Sequence, residues 1–324
     1  MHFDFDAAVS APFRMQPGLR RLAAGATQLT PLSPGSRHQR EKLAVLSAFW
    51  PRALVQQPGF DAGPAIAALC EHAALEHPAA WQWDGERATA LKLGVAVDRA
   101  SGDVQPLHGG DFGLGDEIPR CMLGLPASWR LAGLLALTFA EDLAIVDVAG
   151  TTIPWLAVAL PSHWAPQDKV GRPFAEVHAP VADATLVVRA AQPLMRLAGG
   201  AERWERFVWN VSGHSRLCAH PEVVAPDRWR DTPVAAAYWR TERQTFIPVP
   251  ARGQAVFTIA VDVVPLALAI DPPGRAAALH DAIATMSPAV LDYRGLVSVR
   301  DDLLAWLASR ASFASQDAPA RGAL

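Results

Sequence analysis

The sequence predicts an α+β fold, and three observations lead there. Helical periodicity is concentrated toward the two ends of the chain, short apolar runs fill the middle, and those runs are bounded by glycines or acidic pairs as antiparallel strands are. Helices around a central, mostly antiparallel set of strands exclude a doubly wound parallel sheet.

Taken in order, Phe13 to Pro34 reads as loops and a short helix closed by Gly, Pro and Ser. A helix starts near Ser36 and carries Leu43, Leu46 and Phe49. A second, Pro64 to His77, has Ile66, Leu69 and Cys70 at helical spacing behind an early proline. Leu91 to Val97 is a short apolar run, and Gly109 to Gly115 follows it as a loop. That loop lacks both the Gly-x-Gly-x-x-Gly spacing and the Lys-Ser/Thr ending of a phosphate cradle. Leu131 to Ala140, Leu143 to Val148 and Ile153 to Leu160 read as strands. Thr185 to Leu197 is an amphipathic helix, while Phe207 to Val211, Ala236 to Thr241 and Val256 to Val263 are strands. Arg275 to Met286 and Arg300 to Ser309 are the closing helices. Residues 1–310 then form a single domain, since no internal repeat or linker divides them, and 311–324 form a disordered Ala/Pro/Gly tail.

With 324 residues, 51% hydrophobic and 19% charged, the chain can bury a large core and carries no charge excess to keep it unfolded. The net charge of −3 gives no basic field, which excludes nucleic acid as a partner. Cys70, Cys121 and Cys218 form no Cys-x-x-Cys pair. A disulfide framework, a cysteine-held iron–sulfur cluster and covalent haem attachment are therefore excluded. The N-terminus lacks the basic and apolar regions of a secretory signal, and Glu141 and Asp142 interrupt the apolar stretch from Gly133 to Val148. We expect a cytoplasmic protein with no membrane partner.

The most informative segment runs from Pro161 to Pro180. It holds His163, Trp164, Lys169, Glu176 and His178 among prolines that forbid both a continuous helix and a central strand. Ordered irregular backbone with ionisable side chains belongs to a site.

Three blocks carry a resemblance. They are Pro161-Ser162-His163-Trp164-x-Pro166-x-Asp168-Lys169-x-Gly171-x-Pro173 with His178-x-Pro180-Val181, then Arg206-x-x-Trp209, and then Arg240-x-Glu242-Arg243-Gln244-Thr245 running on to Gly253, Phe257, Thr258 and Ile259. Together the blocks resemble the haem-dependent oxidative N-demethylases, the α-subunit-like group that includes the haem subunit of dimethylamine monooxygenase. Glu141-Asp142, Tyr293-Arg294 and Met15-x-x-Gly18-Leu19 fit more loosely. The resemblance implies a PAS-like antiparallel sheet flanked by N- and C-terminal helices, holding a non-covalent b-type haem (heme b). It also implies O2-dependent oxidative N-demethylation of a small N-methyl amine such as dimethylamine, with formaldehyde released. Electrons come from separate flavin or iron–sulfur reductase subunits, for this chain has no flavin, NAD or iron–sulfur motif. One departure stands out: Arg206-Phe207-Val208-Trp209 replaces the family's Arg-x-Asn-Trp.

A haem iron needs an axial donor, here an imidazole. His178, braced by Pro173 and Pro180, is the first candidate proximal ligand and His163 the second; a ring capping a loop is the alternative for each. His2, His38, His72, His77 and His280 fall at the terminus or on solvent-facing helix positions. The haem propionates want fixed cations, for which Arg243, Lys169 and Arg240 are candidates, with a strand-edge salt bridge to Glu242 as the alternative. Strand alternation puts Arg240 and Glu242 on one face and Arg243 and Thr245 on the other. Glu242 can attract a protonated amine or accept its proton, or serve as an ion-pair partner. Phe207, Phe246, Phe257 and the tryptophans line an apolar cleft or the ordinary core. A haem sensor or carrier without turnover, and a cofactor-free assembly subunit, are the other functional classes open to this sequence.

Overall fold

The computed structural model describes residues 3–107, 113, 115–178, 191–225, 227–230 and 232–316, with the side chains of His178 and of 313–316 outside the description. From the N-terminus come α1 (Phe5–Ala8), β1 (Arg20–Arg21), α2 (Arg37–Ala48), α3 (Trp50–Ala53), β2 (Leu54–Gln56) and α4 (Gly63–Glu76). Four short strands follow: β3 (Trp81–Trp83), β4 (Arg87–Ala90), β5 (Val95–Asp98) and β6 (Val104–Pro106). Next are α5 (Glu117–Gly124), α6 (Ala127–Thr138), β7 (Glu141–Asp147), β8 (Thr152–Ala157), α7 (Phe174–His178) and α8 (Ala191–Ala198). The chain ends with β9 (Trp204–Ser212), β10 (Tyr238–Val249), β11 (Gln254–Pro265), α9 (Leu266–Ala269), α10 (Arg275–Ala284), α11 (Pro288–Arg294) and α12 (Arg300–Gln316).

The protein is α+β. Among the described residues a seven-stranded sheet has the order β1-β9-β10-β11-β7-β8-β2, and β3-β4-β5-β6 form a second, small sheet. Every ladder in both is antiparallel. One face of the large sheet is covered by α4, α6 and the small sheet, which share a core containing Leu69, Trp81, Leu135, Leu143, Ile145, Trp155 and Val256. At the β9–β10 end, Trp209, Val211 and Trp239 pack against Leu279, Ile283, Leu303 and Leu307 of the C-terminal helices. The opposite face stays open over β7–β11 and holds the cavity described below.

Several expectations hold. The Ser36 hydroxyl caps α2 by accepting from the Gln39 N–H. The helix expected over 64–77 is α4, and the strands expected over 143–148, 153–160, 207–211, 236–241 and 256–263 are β7 to β11, longer than expected at β9, β10 and β11. Between Leu91 and Val97 a 3-10 turn at Leu91–Leu93 precedes β5.

Leu131 to Ala140 is a correction, because it forms most of helix α6 rather than a strand. Every residue of Leu131–Thr138 is buried, so no polar stripe reveals the helical period, and a fully buried run reads alike in either state. Its Leu and Ala content, with few β-branched residues, favours the helix. Phe13 to Pro34 contains no helix; Leu32 N–H donates to Thr138 O and Ala140 N–H to Thr30 O, so this segment lies extended beside the end of α6. His38, His72 and His77 do not face solvent. His38 Nε2 lies 2.8 Å from Val261 O, His77 Nε2 lies 2.8 Å from Leu29 O, and His72 pairs with Glu76 at 3.0 Å. Most of the glycine-rich segment 109–115 and the first part of the helix expected at 185–197 lie outside the described residues. The tail expected from 311 is helical as far as Gln316, and the rest of it also lies outside them.

Candidate functional site

A cavity of about 380 Å³ sits on the open face of the large sheet, within the size range of small-molecule and cofactor sites. Strand alternation supplies its floor. Arg206, Val208 and Asn210 come from β9, Arg240, Glu242, Gln244 and Phe246 from β10, and Phe257 and Ile259 from β11. Ala144, Val146, Ile153 and Leu156 extend that floor over β7 and β8. The roof combines Ser162, His163, Trp164 and Lys169 with Phe174 and Val177 of α7 and Leu194 and Met195 of α8, closed by Met15, Leu19, Tyr293 and Arg294. The loosely matching pieces Met15-x-x-Gly18-Leu19 and Tyr293-Arg294 therefore meet here from opposite ends of the chain.

The proline-rich segment is held by the sheet rather than by itself. Arg240, only 2% exposed, donates Nε to Ser162 Oγ at 2.8 Å, Nη1 to Arg216 O at 3.0 Å, and Nη2 to Pro161 O at 3.1 Å and Leu217 O at 2.8 Å. Ser162 in turn donates to Glu242 Oε1, while Gln244 Nε2 donates to Oε2 at 2.6 Å. Main-chain bonds add to this, with Ala219 N–H donating to Pro161 O and His163 N–H to Ala219 O. The result fixes His163 at φ 64°, a left-handed conformation that a residue with a Cβ adopts only under constraint.

The His163 ring faces the cavity and meets His214 edge to face, 5.3 Å between centroids. Burial, reinforced by Arg228 and Arg240, drives the His163 pKa down to about 2, and burial with Arg240 and Arg216 takes His214 to about 4. Both imidazoles are neutral at physiological pH, and neither ring nitrogen of His214 has a hydrogen-bond partner among the described residues.

The other expected site residues divide sharply. Lys169 lines the cavity but donates Nζ to Val177 O at 3.1 Å, and burial lowers its pKa. Glu242 is at the cavity floor, as is Arg240, although the latter's donors are occupied by main chain and Ser162. Arg243 falls on the opposite face, where Nε meets Glu205 Oε2 at 2.9 Å, and Arg20 shares that carboxylate. It does not reach the cavity. Phe207 also points away, onto Phe3 and under Arg20. His178 closes α7, whose Phe174 and Val177 line the cavity; its ring lies outside the described residues. The Glu141-Asp142 pair is structural, with Asp142 Oδ1 lying 3.2 Å from the buried Lys42 Nζ and Glu141 Oε2 accepting from Thr30 N–H.

Sequence reasoning missed Arg206 and Arg228 as site residues. Arg206 stood in a recognised block, and only the β9–β10 register, which pairs it with Gln244, reveals that it shares a face with Glu242. Arg228 carries no sequence signal at all.

Among the described residues no three His, Cys, Asp or Glu side chains converge as a bare metal ion requires. One neutral imidazole, flat apolar walls and guanidinium groups at one end instead suit a metal that arrives inside an anionic macrocycle. No helix among the described residues is long and apolar enough to cross a membrane. A family model described as haem-dependent oxidative N-demethylase, alpha subunit-like, matches residues 125–304, more than half of the chain.

Proposed function

Because the chain belongs to the haem-dependent oxidative N-demethylase, alpha subunit-like family, we propose that its cavity holds a non-covalent haem in a PAS-like pocket and oxidises a small N-methyl amine such as dimethylamine. The observation that carries this reading is His163, a neutral imidazole presented on a fixed left-handed turn into an apolar cavity. When bound, the haem supplies activation of O2 for oxidation of the N-methyl group, with formaldehyde as co-product and electrons drawn from separate flavin or iron–sulfur reductase subunits.

The chain's own residues do the rest. Burial keeps His163 unprotonated, so its lone pair stays available to a metal, and of the two expected axial donors its described geometry makes it the stronger. Val146, Leu156, Phe246, Phe257 and Ile259 of the floor, facing Trp164, Phe174 and Leu194 of the roof, offer a flat apolar body a dry slot. Glu242, oriented by Ser162 and Gln244, places a carboxylate on the cavity floor that attracts a cationic amine and positions it by hydrogen bonding.

The test is an optical titration of haem into the purified protein, followed by formaldehyde release from a panel of N-methyl amines with an added reductase. We expect a Soret band in the wild type and in His178→Ala but not in His163→Ala, with imidazole restoring it in the last. Loss in His178→Ala alone would transfer the donor role to that residue. A stable haem complex that turns over no amine would identify a carrier or sensor.

A further inference from the structure

The cavity's polar end contains more positive charge than its known contacts use. Arg206, Arg228, Arg240, Arg294 and Lys169 line it against one carboxylate, Glu242. Three of these cations are engaged. Arg240 is bonded to main chain and Ser162, Lys169 to Val177 O, and Arg294 lies over Phe13 and Trp209 while donating Nη1 to Trp209 O.

Arg206 and Arg228 are different. Neither has a hydrogen bond or ion pair among the described residues, and Arg206 Nε is buried without a partner. Glu242 feels the charge of Arg206 but makes no hydrogen bond to it, its two oxygens accepting from Ser162 and Gln244 instead. Tyr293 lines the same cavity as Arg206, Arg228 and Glu242, and its hydroxyl feels the charge of all three. Room for Arg228 is built into the chain. A Cβ on Gly213 would stand 2.3 Å from Arg228 O, and one on Gly295, at φ 68°, would stand 3.0 Å from Arg228 Cδ. Arg206 has only the charge of Glu242 nearby and the half-buried Arg228 only that of Asp292, neither of them in a hydrogen-bonded ion pair, so an anion between the two guanidiniums would offset their desolvation, and a planar fork matches a carboxylate in bidentate geometry.

We infer that Arg206 and Arg228, with Tyr293 beside them, form a carboxylate-binding site at the polar end of the cavity. The inference rests on the proposed function for its two possible sources of carboxylate: a porphyrin propionate, or an acid group on the substrate, which would then be an N-methyl amino acid rather than a simple amine.

The experiment uses haem-free protein and two probe pairs. Metal-free protoporphyrin IX is compared with its dimethyl ester by tryptophan fluorescence quenching, and N-methylglycine with dimethylamine by calorimetry. Each pair is measured on the wild type, Arg228→Gln and Arg206→Lys, the last keeping the charge but not the fork; circular dichroism checks that each variant folds. A wild-type preference for the free porphyrin acid that falls about tenfold or more in each variant assigns the site to propionate. Equal porphyrin affinities with N-methylglycine binding that weakens by the same factor assign it to substrate. If the wild type prefers neither acid, or the variants keep the preference, the inference fails. No iron or axial ligand enters these readouts, so a protein that selects the acid yet gives no turnover defeats the enzymatic reading and leaves this one standing.

Discussion

Replacing Arg240 by Met should destabilise the protein and loosen His163 together, because one guanidinium brackets the sheet to the proline-rich segment. Arg240 makes four bonds of 2.8 to 3.1 Å, and its pKa, lowered to about 10 by burial, still leaves it charged at neutral pH. Two of the four acceptors have substitutes. Pro161 O also accepts from Ala219 N–H, and Arg216 is exposed enough for water to replace the lost donor. Leu217 O and Ser162 Oγ have no such replacement, and charge-assisted bonds to buried groups are worth roughly 1.5–3 kcal/mol each. The gross loss is therefore about 3–6 kcal/mol, and relief of the buried cation offsets part of it, leaving about 2–4 kcal/mol. Urea unfolding followed by tryptophan fluorescence reads this as a fall in midpoint at unchanged slope. Haem affinity should drop in the same variant, since His163 loses the bracket behind its turn. A stability change below about 1 kcal/mol with unaltered haem affinity would refute the reasoning, because it would mean that the pairing with Ala219 alone holds the segment.

Further outcomes follow from the same geometry. In the haem-free protein, the folded His163 pKa of about 2 lies below its unfolded value near 6.5, so below pH 6.5 the unfolded chain binds a proton that the fold refuses. Stability should then fall by about 1.4 kcal/mol per pH unit as acid is added, and His163→Asn should flatten that part of the denaturation profile. Gly213→Ala drives a Cβ to 2.3 Å from Arg228 O, a backbone atom; we expect a loss of about 1–3 kcal/mol in chemical denaturation and a weakened carboxylate preference. Lys42→Met leaves Asp142 buried and without its 3.2 Å partner, at a cost of about 3–5 kcal/mol, and adding Asp142→Asn should recover part of the lost midpoint.

The outer helices and the central strands were legible because each has a visible signal: Ser36 before α2, Pro64 near the start of α4, and alternation along β9 to β11. Helix α6 was not, since burial on all sides erases the periodicity that distinguishes helix from strand. The small sheet escaped notice because β3 to β6 are only three or four residues long. At the site, the segment around His163 was found from its prolines, but local sequence could not say which side chains it faces. The alternation placing Arg243 opposite Glu242 was readable, whereas the inward direction was not: polar residues occupy both faces of β10, with Arg243 and Thr245 on the covered side and Glu242 and Gln244 in the cavity. Arg228 depends on the approach of Gly213 and Gly295 to its chain, a tertiary relation without a local pattern.

Strand order converts these local choices into a gradient across the cavity. β8, β7 and β11 contribute Ile153, Leu156, Ala144, Val146, Phe257 and Ile259, whereas β10 and β9 contribute Arg240, Glu242, Gln244, Arg206 and Asn210, so polarity rises along the sheet from one edge of the site to the other. A rigid ligand with an apolar body and an anionic rim has one favourable orientation in such a field, because reversing it would bury its charges against Leu156 and Phe257 and strand both guanidiniums. Apolar residues also enter the polar half, Phe246 toward the end of β10 and Val208 on β9, the latter directly across the ladder from Glu242. An asparagine there would compete for the carboxylate or for an amine N–H; valine offers neither donor nor acceptor, so a cation drawn to Glu242 meets a methyl-lined wall on its other side. The Val208 side chain thus leaves the polar half of the floor without a donor or acceptor opposite Glu242, at the position where the family's Arg-x-Asn-Trp pattern has asparagine.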